Sequence, residues 1–115
     1  MKTILILGGS TGMGLDTAMR LASRGIGVTI IGRSEDKLQA AGAEIQAAGA
    51  PEVNHQTLDL YDQAAVDHFI ESINSGETTS FDFLVNSAGS FLPTPFLEHT
   101  RENYHQYHDL NAAFF

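Results

Sequence analysis

Short apolar runs alternate along the chain with stretches that carry apolar residues on one helical face. Thr3-Ile4-Leu5-Ile6-Leu7 is a continuous run that ends at Gly8-Gly9. Its lack of polar alternation predicts a strand buried on both faces, as in a parallel sheet. From Leu15 to Arg24, the positions Leu15, Ala18, Met19 and Ala22 recur at helical spacing, and Gly25 suits the left-handed residue that closes a helix. Gly27-Val28-Thr29-Ile30-Ile31 predicts a second buried strand. Ser34 is placed to cap a helix running through Leu38, Ala41, Ile45 and Ala48, closed by Gly49 and Pro51. Val53 to Leu58 is a third strand with a weaker pattern. Asp62 caps a helix with Ala65, Val66, Phe69, Ile70 and Ile73 on its apolar side, and Gly76 to Ser80 is a loop. Phe81 to Val85 is a fourth strand that ends at Asn86. Ser87 to His99 is irregular and contains Pro93 and Pro95, and Thr100 caps a last helix toward Phe115.

The resulting order, β-α-β-α-β-α-β-α, has no repeat, linker or low-complexity tract. Alternating strands and helices require right-handed crossovers and a parallel sheet. The fold class expected is α/β, a Rossmann-type doubly wound sheet with strand order 3-2-1-4, in one domain spanning residues 1–115. Ligands of such sheets bind beyond the carboxyl ends of the strands, where the strand order reverses. Here that point lies between strands 1 and 4, which lead into Gly8–Gly14 and Asn86–Gly89.

The segment Gly8-Gly9-Ser10-Thr11-Gly12-Met13-Gly14 joins a strand to a helix, a setting that gives its glycines chemical meaning. Gly8 permits the turn off the strand, Gly12 lets backbone approach a ligand, and Gly14 permits close packing of helix on strand. The helix N-terminus presents N–H groups and partial positive charge, which suits a pyrophosphate, and Ser10 and Thr11 add hydroxyls. A P-loop is excluded, because Gly14 is followed by Leu15-Asp16 rather than Lys and Ser or Thr. The spacing G-x-G-x-x-G fails as well, because Gly12-x-Gly14 reaches Thr17.

Gly8-x-x-x-Gly12-x-Gly14 resembles the Thr-Gly-x-x-x-Gly-x-Gly loop of the short-chain dehydrogenases/reductases, with Leu7 in place of the threonine. Asp59-Leu60 resembles the family's adenine-contacting Asp after strand 3. Asn86-Ser87-Ala88-Gly89 is similar to its Asn-Asn-Ala-Gly, with Ser87 departing. Asp109-Leu110-Asn111 is similar to the helix that carries the Asn of the family's catalytic tetrad. Taken singly, Asp59 also fits a turn or helix cap, Asn86 a tie between strand ends, and Asn111 a helix surface. The four motifs occur in order across nearly the whole chain.

The resemblance implies hydride transfer between a nicotinamide dinucleotide and a carbonyl or alcohol substrate. The loop residues Gly8, Ser10, Thr11, Gly12, Met13 and Gly14 would hold that cofactor together with Arg33, Ser34, Asp59, Leu60, Asn86, Ser87, Ala88 and Gly89. Cofactors with a free ribose 2′-OH are usually met by an acid at the end of strand 2. Here Ile31 is followed by Gly32-Arg33-Ser34, so a guanidinium and a hydroxyl stand where a 2′-phosphate would sit, and NADP(H) is expected over NAD(H). Arg33 is alternatively a stacking or solvated side chain.

The family's proton chemistry needs a Tyr-x-x-x-Lys pair and an upstream Ser, since a phenol is a poor base unless a cation stabilises phenolate. Tyr61, Tyr104 and Tyr107 are followed four residues on by Ala65, His108 and Asn111, and no Lys follows Lys37. The expectation is therefore a cofactor-binding N-terminal part of a longer enzyme, truncated after the fourth strand and its helix, with Asn111 its one catalytic residue. Phe83–Val85 would then lie on a sheet edge that needs a cover. The alternatives are a non-catalytic dinucleotide-binding module and an inactive truncated product.

Charge and composition narrow the partners. The chain has 115 residues, a formal charge of −8 and no cysteine. Lys2, Arg20, Arg24, Arg33, Lys37 and Arg101 are scattered, which disfavours nucleic acid. No apolar run approaches the roughly 20 residues of a membrane span. No thiolate metal site can form, and His99, His105 and His108 read as exposed helix histidines, so no metal is expected. A cytoplasmic location is expected. The family's counterpart of Thr100–Phe115 often lies at a subunit interface, which makes a homo-oligomer plausible.

Overall fold

The computed structural model describes residues 1–76, 80–88 and 101–102. They form β1 (Thr3–Leu7), α1 (Gly12–Ala22), β2 (Gly27–Gly32), α2 (Glu35–Ala47), β3 (Val53–Thr57), α3 (Gln63–Asn74) and β4 (Phe83–Asn86). All strand pairs are parallel and the sheet order is β3-β2-β1-β4, the doubly wound topology expected from the alternating pattern. Leu7 lies opposite both Ile31 and Asn86, so β1, β2 and β4 end at one level. Backbone bonding continues beyond these ends. Gly8 N–H donates to Ile31 O, Ser87 N–H to Leu7 O and Leu58 N–H to Gly32 O, each at 2.8 Å.

The strand period of two sends neighbouring side chains of β1 into different layers. Ile4 and Ile6, with Val28 and Ile30 of β2, pack against Ala18 and Ala22 of α1 and Leu38, Ala41 and Ile45 of α2. Leu5, Leu7 and Ile31 pack on the opposite face with Leu58 and with Val66 and Phe69 of α3. Thus α1 and α2 cover one face of the sheet and α3 the other. Each fully buried Ile or Leu contributes about 1.5–3 kcal/mol.

Several element ends differ from the sequence expectation for identifiable reasons. Helix α1 starts at Gly12 instead of Leu15. Its glycines have low helix propensity, but Gly14 is buried, so packing extends the helix into them. On α3, Ile70 is 44% exposed although Val66 and Phe69 are buried, because the stripe facing the sheet is narrower than the pattern suggests. Strand β4 starts at Phe83, two residues later than expected. Just before it, Asp82 clamps the N-terminus: Thr3 N–H donates to Asp82 Oδ2 at 2.9 Å and Asp82 N–H donates to Thr3 O at 3.0 Å. Phe83 and Leu84 are 46% and 51% exposed on this outer strand of the four-stranded sheet. Of the expected last helix only Arg101 and Glu102 are described, and both are helical. No described helix is long and apolar enough to cross a membrane.

Helix α2 is capped as expected, with Ser34 Oγ accepting from Lys37 N–H at 3.4 Å. Its first residue, Glu35, accepts from His55 Nε2 of β3 at 2.8 Å and from Gln39 at 3.2 Å. The hydrogen bond from His55, then that from Gln39, holds the Glu35 carboxyl below its ordinary value of 4.5. A lowered folded-state value gives stability that is complete above the unfolded value and lost as pH falls through the folded one. Glu35→Gln is therefore expected to flatten the acid limb of a stability-against-pH curve below pH 4.5, leaving neutral-pH cooperativity unchanged. An unaltered acid limb in urea melts would contradict this.

Candidate functional site

A cleft of about 410 Å³ lies along the level end of the sheet. Gly8, Ser10, Thr11, Gly12 and Met13 line it from the β1–α1 loop, and Ile31, Gly32 and Arg33 from the end of β2. Leu58 to Tyr61 after β3 and Ser87 and Ala88 after β4 complete the lining. A shallower hollow of about 420 Å³ shares Arg33, Leu58 and Asp59 and reaches Thr57 and Ala65. The crevice selected by strand order is thus the one lined by the glycine loop.

The glycines act in different ways. Gly12 has φ of +60°, a left-handed conformation, and a Cβ built there meets nothing within 4 Å. It faces open space at the start of α1. Gly14 is buried under the loop, where an added Cβ would stand 2.4 Å from Gly8 O and 3.1 Å from Ser87 Cβ. Gly9, to which the sequence reading assigned no role, is equally constrained: its Cβ would meet Ile30 Cγ2 at 2.5 Å. Only the tandem Gly8-Gly9 after a buried strand hinted at it.

Thr11 is the N-cap of α1, yet its hydroxyl makes no cap hydrogen bond and the first turn holds no acidic residue. By contrast, Ser34 caps α2 and Asp62 Oδ1 accepts from Ala65 N–H at 3.2 Å in α3. The opening N–H groups of an α-helix have no intrahelical acceptor, so those of α1 are available to an anion in the cleft. Loop and helix start together fit a phosphate group: space at Gly12, backbone donors, and two hydroxyls at Ser10 and Thr11.

The remaining candidates divide between lining and support. Arg33 is exposed and lines both cavities. Asp59 lines them too, and its Oδ1 accepts from Tyr61 N–H at 3.0 Å, so it also shapes the turn after β3. Asn86 does not line the cleft. Its Oδ1 accepts from Ala88 N–H at 3.0 Å, fixing the turn that brings Ser87 and Ala88 to the rim. Ser34 and Gly14 likewise stand behind the lining, as a helix cap and a packing contact. Gly89, Asn111 and the histidines His99, His105 and His108 lie outside the described residues. Tyr61 lines the cleft and escaped the sequence reading, although an aromatic between Asp59-Leu60 and the cap Asp62 was a visible oddity.

The family description "short chain dehydrogenase" matches residues 2–113. The chain belongs to the short-chain dehydrogenase family. A 3-dehydrosphinganine reductase of Arabidopsis thaliana is 37% identical over 98 residues, covering 85% of this chain and 28% of that protein. A fatty acyl-CoA reductase of Acinetobacter baylyi is 31% identical over 112 residues, covering 97% and 36%. Among solved structures, the L-sorbose reductase of Gluconobacter frateurii, complexed with NADPH and L-sorbose, superposes with a TM-score of 0.84 at 27% identity. That match covers 98% of this short-chain dehydrogenase chain and 43% of the reductase. The chain therefore spans less than half the length of these relatives.

Proposed function

We propose that this chain is the cofactor-binding part of an NADP(H)-dependent short-chain dehydrogenase acting on a carbonyl or alcohol substrate. The observation that carries the reading is one cleft lined both by the open Gly12 turn with its uncapped helix donors and by Arg33. The nicotinamide of such a cofactor supplies or accepts the hydride. The protein's part is to hold and orient the cofactor. The α1 N–H groups, Ser10 and Thr11 take the pyrophosphate, Asp59 and Leu60 flank the adenine, and Arg33 with Ser34 takes the 2′-phosphate. Asn86 acts indirectly, by setting the Ser87-Ala88 rim.

The preference for NADP(H) rests on the residues that follow β2. No carboxylate follows β2, where Gly32-Arg33-Ser34 stands. A guanidinium on a phosphate contributes about 1.5–3 kcal/mol. Arg33→Ala is therefore expected to weaken NADPH binding roughly tenfold to a hundredfold and NADH binding little, read by isothermal titration. Equal losses for the two cofactors would refute the assignment. NADPH in the sorbose reductase supports it by analogy.

These 115 residues contain no Tyr-x-x-x-Lys. We therefore assign the chain binding without turnover of its own. NADPH oxidation with a panel of ketones and aldehydes should stay at background, and rates matching an intact reductase would overturn that assignment.

A further inference from the structure

We infer that the Tyr61 ring is a stacking wall for the adenine base of the dinucleotide. The inference rests on the dinucleotide reading above and extends it to a residue that no motif names. Tyr61 lines the main cleft together with Leu60 and Arg33. It is 39% exposed, so part of an apolar ring lies in water, in a turn whose neighbours Asp59 and Asp62 are polar. A planar base laid on that ring would remove the exposed face from water and stack on it.

The turn that carries Tyr61 is not a loose one. Its N–H is held by Asp59 Oδ1 at 3.0 Å, and Asp62 N–H donates to Asp59 O at 3.0 Å. Asp62 is in turn anchored as the cap of α3. Below, Leu58 is only 7% exposed and packs into the layer under α3. The tyrosine therefore stands on a fixed backbone between two anchored aspartates, and little ordering cost remains when a base arrives. Arg33 comes from the neighbouring strand, since Gly32 pairs with Thr57. The cation for the phosphate and the ring for the base thus belong to adjacent strand ends of one cleft.

The test uses 2′,5′-ADP, which carries the adenine half and the 2′-phosphate without the nicotinamide. By isothermal titration, Tyr61→Leu is expected to weaken 2′,5′-ADP and NADP⁺ about tenfold, and Tyr61→Phe to keep parental affinity. The chain has no tryptophan and three tyrosines, so tyrosine emission is observable directly. Saturating 2′,5′-ADP should quench it in the parent and not in Tyr61→Leu. Full affinity in Tyr61→Leu would overturn the stacking role, since leucine preserves apolar bulk and removes the ring. A parent that binds neither probe would instead overturn the dinucleotide reading itself. Thermal melts of both variants separate lost binding from lost fold.

Discussion

Gly14→Val is expected to destabilise the fold by about 3 kcal/mol, shifting the melting temperature on the order of 10 °C downward. The cause is a collision with backbone. The first added carbon would stand 2.4 Å from Gly8 O and 3.1 Å from Ser87 Cβ. Neither neighbour can retreat cheaply. Gly8 N–H is tied to Ile31 O at 2.8 Å, and Ser87 N–H is tied to Leu7 O at the same distance. The strain would separate α1 from the ends of β1 and β4 and widen the cleft. Chemical denaturation should show a lower midpoint with an unchanged slope. A midpoint equal to that of the parent would show that the junction is looser than these distances imply.

The same junction shows what was legible in the chain beforehand. A spacing of Gly8, Gly12 and Gly14 between a buried run and an amphipathic one marks a loop that approaches something closely. The continuous apolar runs of β1 and β2 mark strands covered on both faces, with Ile6 and Leu7 in separate layers, and the strand order follows from the alternation of strands with helices. Less legible were roles that depend on which atoms meet across the fold. Gly9 is required by Ile30, twenty-one positions away, and no local pattern carries that information. Ser34 and Asn86, both candidates for the cofactor site, also hold a helix cap and a turn. Their short polar side chains suit both tasks, so residue type alone does not separate them. Tyr61 went unassigned because an isolated aromatic in a turn has no periodicity to flag it.

Gly12 is where stability and binding come apart. Gly12→Asp is expected to leave the protein folded while lowering NADP⁺ affinity about a thousandfold. An added Cβ there meets nothing within 4 Å, so the packing cost seen at Gly14 is absent. What remains for the fold is the backbone at φ of +60°, which costs an L-residue roughly 1–2 kcal/mol and aspartate less than most. Binding has no such reprieve. A carboxylate on this turn would face the pyrophosphate at the uncapped start of α1. Two like charges about 4 Å apart repel by about 4 kcal/mol at the effective dielectric of a partly solvated site, a factor near a thousand. Gly12→Asn isolates that repulsion, because it has nearly the same shape and backbone tolerance without the charge. It should recover much of the affinity, and the gap between the two variants should shrink as salt screens the charges. If Gly12→Asp bound NADP⁺ within threefold of the parent, the phosphates would have to lie elsewhere. The glycine loop would then serve the packing of α1 on β1 and nothing more.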